Sequence, residues 1–154
     1  MNQTSLLQHI FDAKKAHLRW VKRAKHLVEG LPVDKEFIPL KSDSCLFGRW
    51  LYTEGNMLHK IPRVKHLMKE IEVKHNELHE VYQNIYEIFF LMPSKKSIIQ
   101  KFFTFNYHSV SPREKEEAQI YFTYLQHASK ELLDALTQLE KVIKTFSYHE
   151  LKIL

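Results

Sequence analysis

The sequence predicts an all-α fold, an antiparallel four-helix-type bundle with an additional short helix. Three observations carry this reading. Glycine and proline are scarce, 3 and 5 in 154 residues, too few for a strand-and-turn architecture. Apolar residues recur at steps of three and four over long stretches, the period of a helix with one buried face. Capping residues stand at the starts of these stretches, with Gly or Pro at their ends. The length suits one domain with a core of its own, and no repeat or biased tract interrupts it. The domain is expected over residues 1–146, with 147–154 as a C-terminal tail.

The first helix is expected to begin after Thr4 or Ser5, either of which can cap free amides. Its apolar stripe runs Leu6, Ile10, Ala13, His17, Val21 with Trp20 beside it, Ala24, and Leu27 or Val28. Gly30 followed by Leu31-Pro32 ends it. An irregular connection containing Pro39 leads to a short second helix, expected to be capped by Asp43 or Ser44 and to open with Cys45. Gly55-Asn56 reads as its left-handed stop. The third helix is long. It starts around Pro62, ends by Pro93, and carries a buried stripe of Val64, Met68, Ile71, His75, Leu78/His79, Tyr82, Ile85/Tyr86 and Phe89.

Ser94 to Phe105 reads as a short, very apolar helix, and Asn106 to Val110 as a loop. Ser111-Pro112-Arg113-Glu114 is a strong helix start, with Ser as cap, Pro at the first position and Glu closing a capping box. Beyond it a heptad-like seam holds from Ala118 through Phe122, Leu125, Ser129, Leu132, Leu136, Leu139 and Ile143 to Phe146. The tail after Phe146 carries no clear pattern and is expected to fray.

Composition narrows the function. The net charge is +5, but the 23 basic residues are interleaved with 18 acidic ones, so nucleic acid is not an expected partner. The densest basic cluster, Lys14, Lys15, Arg19, Lys22, Arg23 and Lys25, lies on the first helix and reads as a solvated face. The longest wholly apolar run, Ile88 to Met92, is far too short to cross a bilayer, so no membrane span is expected. The N-terminal residues lack the basic and apolar regions of a secretory signal. The expected compartment is the cytoplasm, where a single thiol stays reduced.

The chemistry gathers around Cys45, the only cysteine. With no intrachain partner, its use is packing, reactivity or metal binding. A thiol at a helix start is expected to favour its thiolate, which the free amides stabilise. His75 and His79, four apart on one helix, can reach a single ion, although such pairs also serve packing. His17 alone reads as a hydrogen-bonded core residue. Together the three fall on inward faces, where an unpartnered imidazole is costly. Zn²⁺ would partner all three and the thiolate, since three imidazoles and one thiolate make an acceptable tetrahedral set. That leaves no position for a substrate water, so a structural or sensory site is expected over hydrolysis.

The ordered pattern His17-Leu-Arg-Trp20, then Cys45-Leu-Phe-Gly48-Arg-Trp50, then His75-x-x-x-His79 resembles the chemoreceptor zinc-binding domain family. The resemblance implies His17, Cys45, His75 and His79 as zinc ligands. It also implies a bacterial cytoplasmic regulatory module, often a homodimer, usually joined to chemoreceptors or diguanylate cyclases. In relatives the zinc-bound cysteine responds to zinc availability or to oxidants such as hypochlorous acid. Ser42-Asp43-Ser44 stands where many relatives carry a histidine, a departure that bears on access to the thiol. The chain shows no receptor, signalling coiled coil or cyclase segment. It is therefore expected to act as a stand-alone zinc-binding sensor in chemotaxis or cyclic-di-GMP signalling, through contact with a separate signalling protein, or to buffer zinc.

Two other readings fit a helical bundle with inward histidines. A hemerythrin-like di-iron oxygen carrier would need carboxylates at ligand spacing beside the histidines, and these are missing. A metal-free helical interaction module would use the Leu- and Phe-rich seam of the last helix for dimerisation. An enzyme is not expected, because no nucleophile-base-orienter set or phosphate-cradling Gly loop is present.

Overall fold

The computed structural model describes residues 2–33, 39–91 and 110–154. The helix expected over 94–105 and nearly all of the loop after it lie outside the described residues. Those residues form helices α1 (Gln3–Val28), α2 (Leu46–Tyr52), α3 (Pro62–Tyr86), α4 (Pro112–Ile143) and α5 (Tyr148–Leu151). Short 3₁₀ turns flank α2, and a π-turn over Glu87–Leu91 extends α3. No strand occurs among the described residues. The fold is the all-α helical bundle that the periodicity predicts.

Side-chain contacts fix the direction of each helix. Going up α1, His9 stacks on Trp50 and His17 meets Phe47, so α2 runs down beside it. His17 meets His75, and Trp20 meets His79 and Tyr82, so α3 rises parallel to α1. Arg63 reaches the Thr145 carbonyl and Lys74 pairs with Glu131, so α4 descends along α3. Gln3 donates to the Ile143 carbonyl and Lys14 pairs with Glu140, which ties α1 to the end of α4. The path is up, down, up, down, with the short α2 standing in for one full-length helix. The three long helices share a core in which Leu6, Ile10, Leu27, Met68, Ile71, Leu78, Leu125, Leu132 and Leu139 are fully buried.

The buried faces follow the predicted stripes closely. On α1 it is Trp20 that is buried and Val21 that is half-exposed, because Trp20 turns toward α3. Ser111 caps α4 with the full capping box to Glu114. Gly30 has φ +79°, the left-handed value that lets the chain leave α1.

Four local expectations are corrected. The cap of α1 is Asn2, whose side-chain oxygen accepts the Ser5 N–H at 2.8 Å, so the helix starts ahead of Thr4. Cys45 is itself the cap of α2: residues 42–44 are already wound in a 3₁₀ turn, which leaves Cys45 extended. The stop of α2 is Thr53, and Gly55 lacks a positive φ. Gly55 is small for another reason, since a Cβ there would stand 3.1 Å from the Trp50 ring. Finally, the last residues have a pattern of their own. Ser147 and Glu150 form a second capping box that starts α5, Glu150 pairs with Arg63 at 2.8 Å, and Leu151, Ile153 and Leu154 pack on the core.

Candidate metal centre

The architecture brings three helices to one point. α1 supplies His17 from the middle of its buried face, α3 supplies His75 and His79 one turn apart, and the start of α2 supplies Cys45. One ligand atom from each of the four lies within 4.8 Å of every other. The Cys45 sulfur is 3.3 Å from Nε2 of His75, and Nε2 of His79 is 3.2 Å from that same nitrogen. Zinc–nitrogen and zinc–sulfur bonds of about 2.0–2.3 Å in a tetrahedron separate ligand atoms by roughly 3.3–3.8 Å. The spacing of the four groups is thus close to that of a closed tetrahedral site.

Their hydrogen bonds say which atoms face inward. Nδ1 of His17 lies 2.7 Å from the Ala13 carbonyl, and Nδ1 of His79 lies 3.2 Å from the Leu40 carbonyl. A carbonyl can only accept, so both Nδ1 atoms carry the hydrogen and both Nε2 atoms hold a lone pair. Fixing the far nitrogen in this way is how proteins orient histidine ligands. His75 differs, since its buried Nδ1 has no partner among the described residues. The Nε2 lone pair of His79 therefore faces Nε2 of His75 at 3.2 Å, with a ligand atom of His17 and the Cys45 sulfur within 4.8 Å of both. A cation at the centre would accept these donors together, and the chemistry of the set fits zinc.

The environment disfavours protonation of the imidazoles. His17, His75 and His79 are almost entirely buried. Burial holds the His17 imidazole down to about 4, against the upward pull of its bond to Ala13. Burial, joined by repulsion from His17 and His79, holds His75 at about 2. His79 is likewise held at about 4, chiefly by burial. All three are neutral near pH 7, the protonation state a metal ligand needs.

Cys45 departs from the expectation of a favoured thiolate. Its sulfur does accept the Gly48 N–H at 3.1 Å. Burial nevertheless pushes the thiol up, more strongly than the Gly48 and Phe47 amides and the Arg49 charge draw it down. Without a cation the group is a thiol, 3.4 Å from the Ser42 carbonyl. A short helix start does not outweigh desolvation here.

Aromatic rings wall the site. Trp20 lies 4.3 Å from His79, and Phe47 lies 5.1 Å from His75 and 5.5 Å from His17, centroid to centroid. Gly48 leaves room for this packing, because a Cβ there would overlap the Ser42 carbonyl and stand 3.1 Å from Cε1 of His75. Sequence reasoning paired the ligand candidates but missed the partners that orient them. The Ala13 carbonyl, one turn before His17, was open to inference from helix geometry; the Leu40 carbonyl, in an irregular connection, was not. No Asp or Glu joins the cluster among the described residues, which leaves a di-iron carboxylate site without its ligands.

No curated protein and no solved structure matched the chain. The family model of the chemoreceptor zinc-binding domain does match, over residues 17–86. That span begins at His17 and takes in Cys45, His75 and His79, so the four convergent groups all fall within it. No helix among the described residues is long and apolar enough to cross a membrane. Over residues 17–86 the chain is similar to the chemoreceptor zinc-binding domain.

Proposed function

We propose that this protein is a cytoplasmic zinc-binding sensory domain in which His17, Cys45, His75 and His79 hold one Zn²⁺. The single observation that carries the assignment is the convergence of ligand atoms on Cys45, with the Nδ1 hydrogens of His17 and His79 committed to backbone carbonyls. A bound zinc ion would supply the positive charge that those inward lone pairs and the thiolate share. Four protein ligands leave no coordination position for substrate, which favours regulation over catalysis.

Cys45 is the one ligand open to oxidation. Attack of its thiolate on hypochlorous acid transfers OH to sulfur and releases chloride, giving the sulfenic acid, a poorer ligand. Because Cys45 also caps α2, losing its place at the centre would loosen the start of that helix and change the surface it presents. The output then passes by contact to a separate signalling protein, of chemoreceptor or cyclase type, with the domain acting as a homodimer.

The test is metal content and spectroscopy on the purified protein. One zinc per chain is expected, falling well below that in Cys45→Ala. Cobalt(II) substitution should give a sulfur-to-metal charge-transfer band in the wild type that Cys45→Ala lacks. Unchanged zinc content in the variant, or no thiolate band in the wild type, would remove Cys45 from the site.

A further inference from the structure

We propose that the cavity beside Cys45 is a binding site for a small carboxylic acid with an apolar body, anchored by Arg19. The cavity is about 260 Å³ and lies between α1 and the start of α2. Ala16, Trp20, Pro39 and Phe47 give it apolar walls, and Leu46, 77% exposed, stands beside them. A dry protein cavity of about 150 Å³ is enough to hold benzene. This one therefore admits a larger body, on the order of eight carbons by the same scale.

Arg19 decides the head group. It is exposed on α1, lines the cavity, and has no ion pair or hydrogen bond among the described residues. Its forked guanidinium is suited to a carboxylate, which it can bind through two parallel hydrogen bonds. Lys15 and Lys22 lie exposed on the same helix and strengthen the positive field. Neither nearby acidic group lines this cavity: Asp12 lines the adjoining one, where Gln8 donates to its carboxylate at 3.1 Å, and Asp43, whose charge acts on Cys45, accepts the Ser44 hydroxyl at 2.9 Å. An apolar pocket with one free guanidinium at its wall selects an anion with an apolar tail over an alcohol or an amine.

Cys45 lines the same cavity. An occupant would cover its sulfur and keep reagents from reaching it. His17 and His79 line the cavity as well, so an occupant rests against three of the four candidate metal ligands; the Arg19 anchor itself does not require the metal, and only the consequence for sensing rests on the function proposed above.

Titration calorimetry of the full chain with octanoate, octan-1-ol and octylamine tests this. Octanoate should bind saturably, at least tenfold more tightly than the alcohol or the amine, and should perturb Trp20 fluorescence. Arg19→Ala should erase that preference, and Arg19→Lys should keep part of it. Octanoate should also slow iodoacetamide labelling of Cys45 several-fold in the wild type and not in Arg19→Ala. Equal affinity for octan-1-ol, or an unchanged preference in Arg19→Ala, would overturn the proposal, as would no saturable binding at all. Zinc content of the same samples reads the metal assignment separately, and an octanoate preference in zinc-stripped protein upholds the pocket whatever that content is.

Discussion

The Cys45 sulfur lies 3.3 Å from Nε2 of His75, a residue thirty positions further along the chain. That contact joins the cap of the shortest helix at the site to the middle of a long one, and the chemistry of the centre follows from it. The sulfur is kept as a thiol by burial, and the imidazole is kept neutral by burial too.

Zinc uptake near pH 7 should therefore release about one proton per ion, all of it from Cys45. The three histidines are already neutral there and have none to give. Calorimetry in buffers of differing ionisation enthalpy reads this number directly. Cys45→Ala should release none and should bind zinc about 100-fold more weakly, since one ligand of four carries on the order of 3 kcal/mol of a total near 10–16. Release of two or more protons would mean that a histidine is charged before the metal arrives.

Gly48→Ala should damage the centre more than the helix. An exposed helical Ala normally gains stability over Gly, but here its Cβ would overlap the Ser42 carbonyl and press on His75. The expected result is a loss of about 1–3 kcal/mol in chemical denaturation, as overpacking costs, together with weaker zinc binding. A more stable variant with wild-type zinc affinity would show that the Ser42 turn moves aside freely.

The zinc-free protein should lose stability as pH falls from about 6.5 toward 4. Unfolded histidines take up protons through that window, whereas His17, His75 and His79 in the fold resist until about 4 or below. The unfolded state then binds more protons, so acid favours it. For His17 alone the loss approaches 3 kcal/mol by pH 4. Urea midpoints at pH 7.5 and 5 measure it, and His17→Gln should flatten the slope. A flat profile in the wild type would mean that these imidazoles are solvated.

Glu140 gives a weaker acid dependence at lower pH. Lys14 first, and then Lys144, hold its carboxyl down to about 2. Its stabilisation is complete above the ordinary carboxylate value and fades as pH drops from there toward 2. The group is partly solvated, so Glu140→Gln should cost no more than about 1 kcal/mol at pH 7. The loss should shrink in high salt, which a denaturation series with added NaCl would show.

Much of this was legible in the residues. Steps of three and four placed Leu6, Ile10, Ala13 and His17 on one face because helix period alone decides which side chains share a side. The capping box at Ser111 and the left-handed Gly30 were readable for the same reason, since both depend on neighbours within one turn. The irregular segment before α2 was not. Asp43 and Ser44 are good caps by type, yet the 3₁₀ turn that contains them passes the role to Cys45.

By itself the sequence determined the helices, their inward faces and the four side chains able to meet, because these depend on local period and residue type. Only the tertiary structure decided that they do meet, that Ala13 and Leu40 fix two of the imidazoles, and that Cys45 is a thiol when no cation is bound. Those outcomes depend on which distant backbone groups come close and on how much water is shut out. Neither quantity exists until α1, α2 and α3 have packed together.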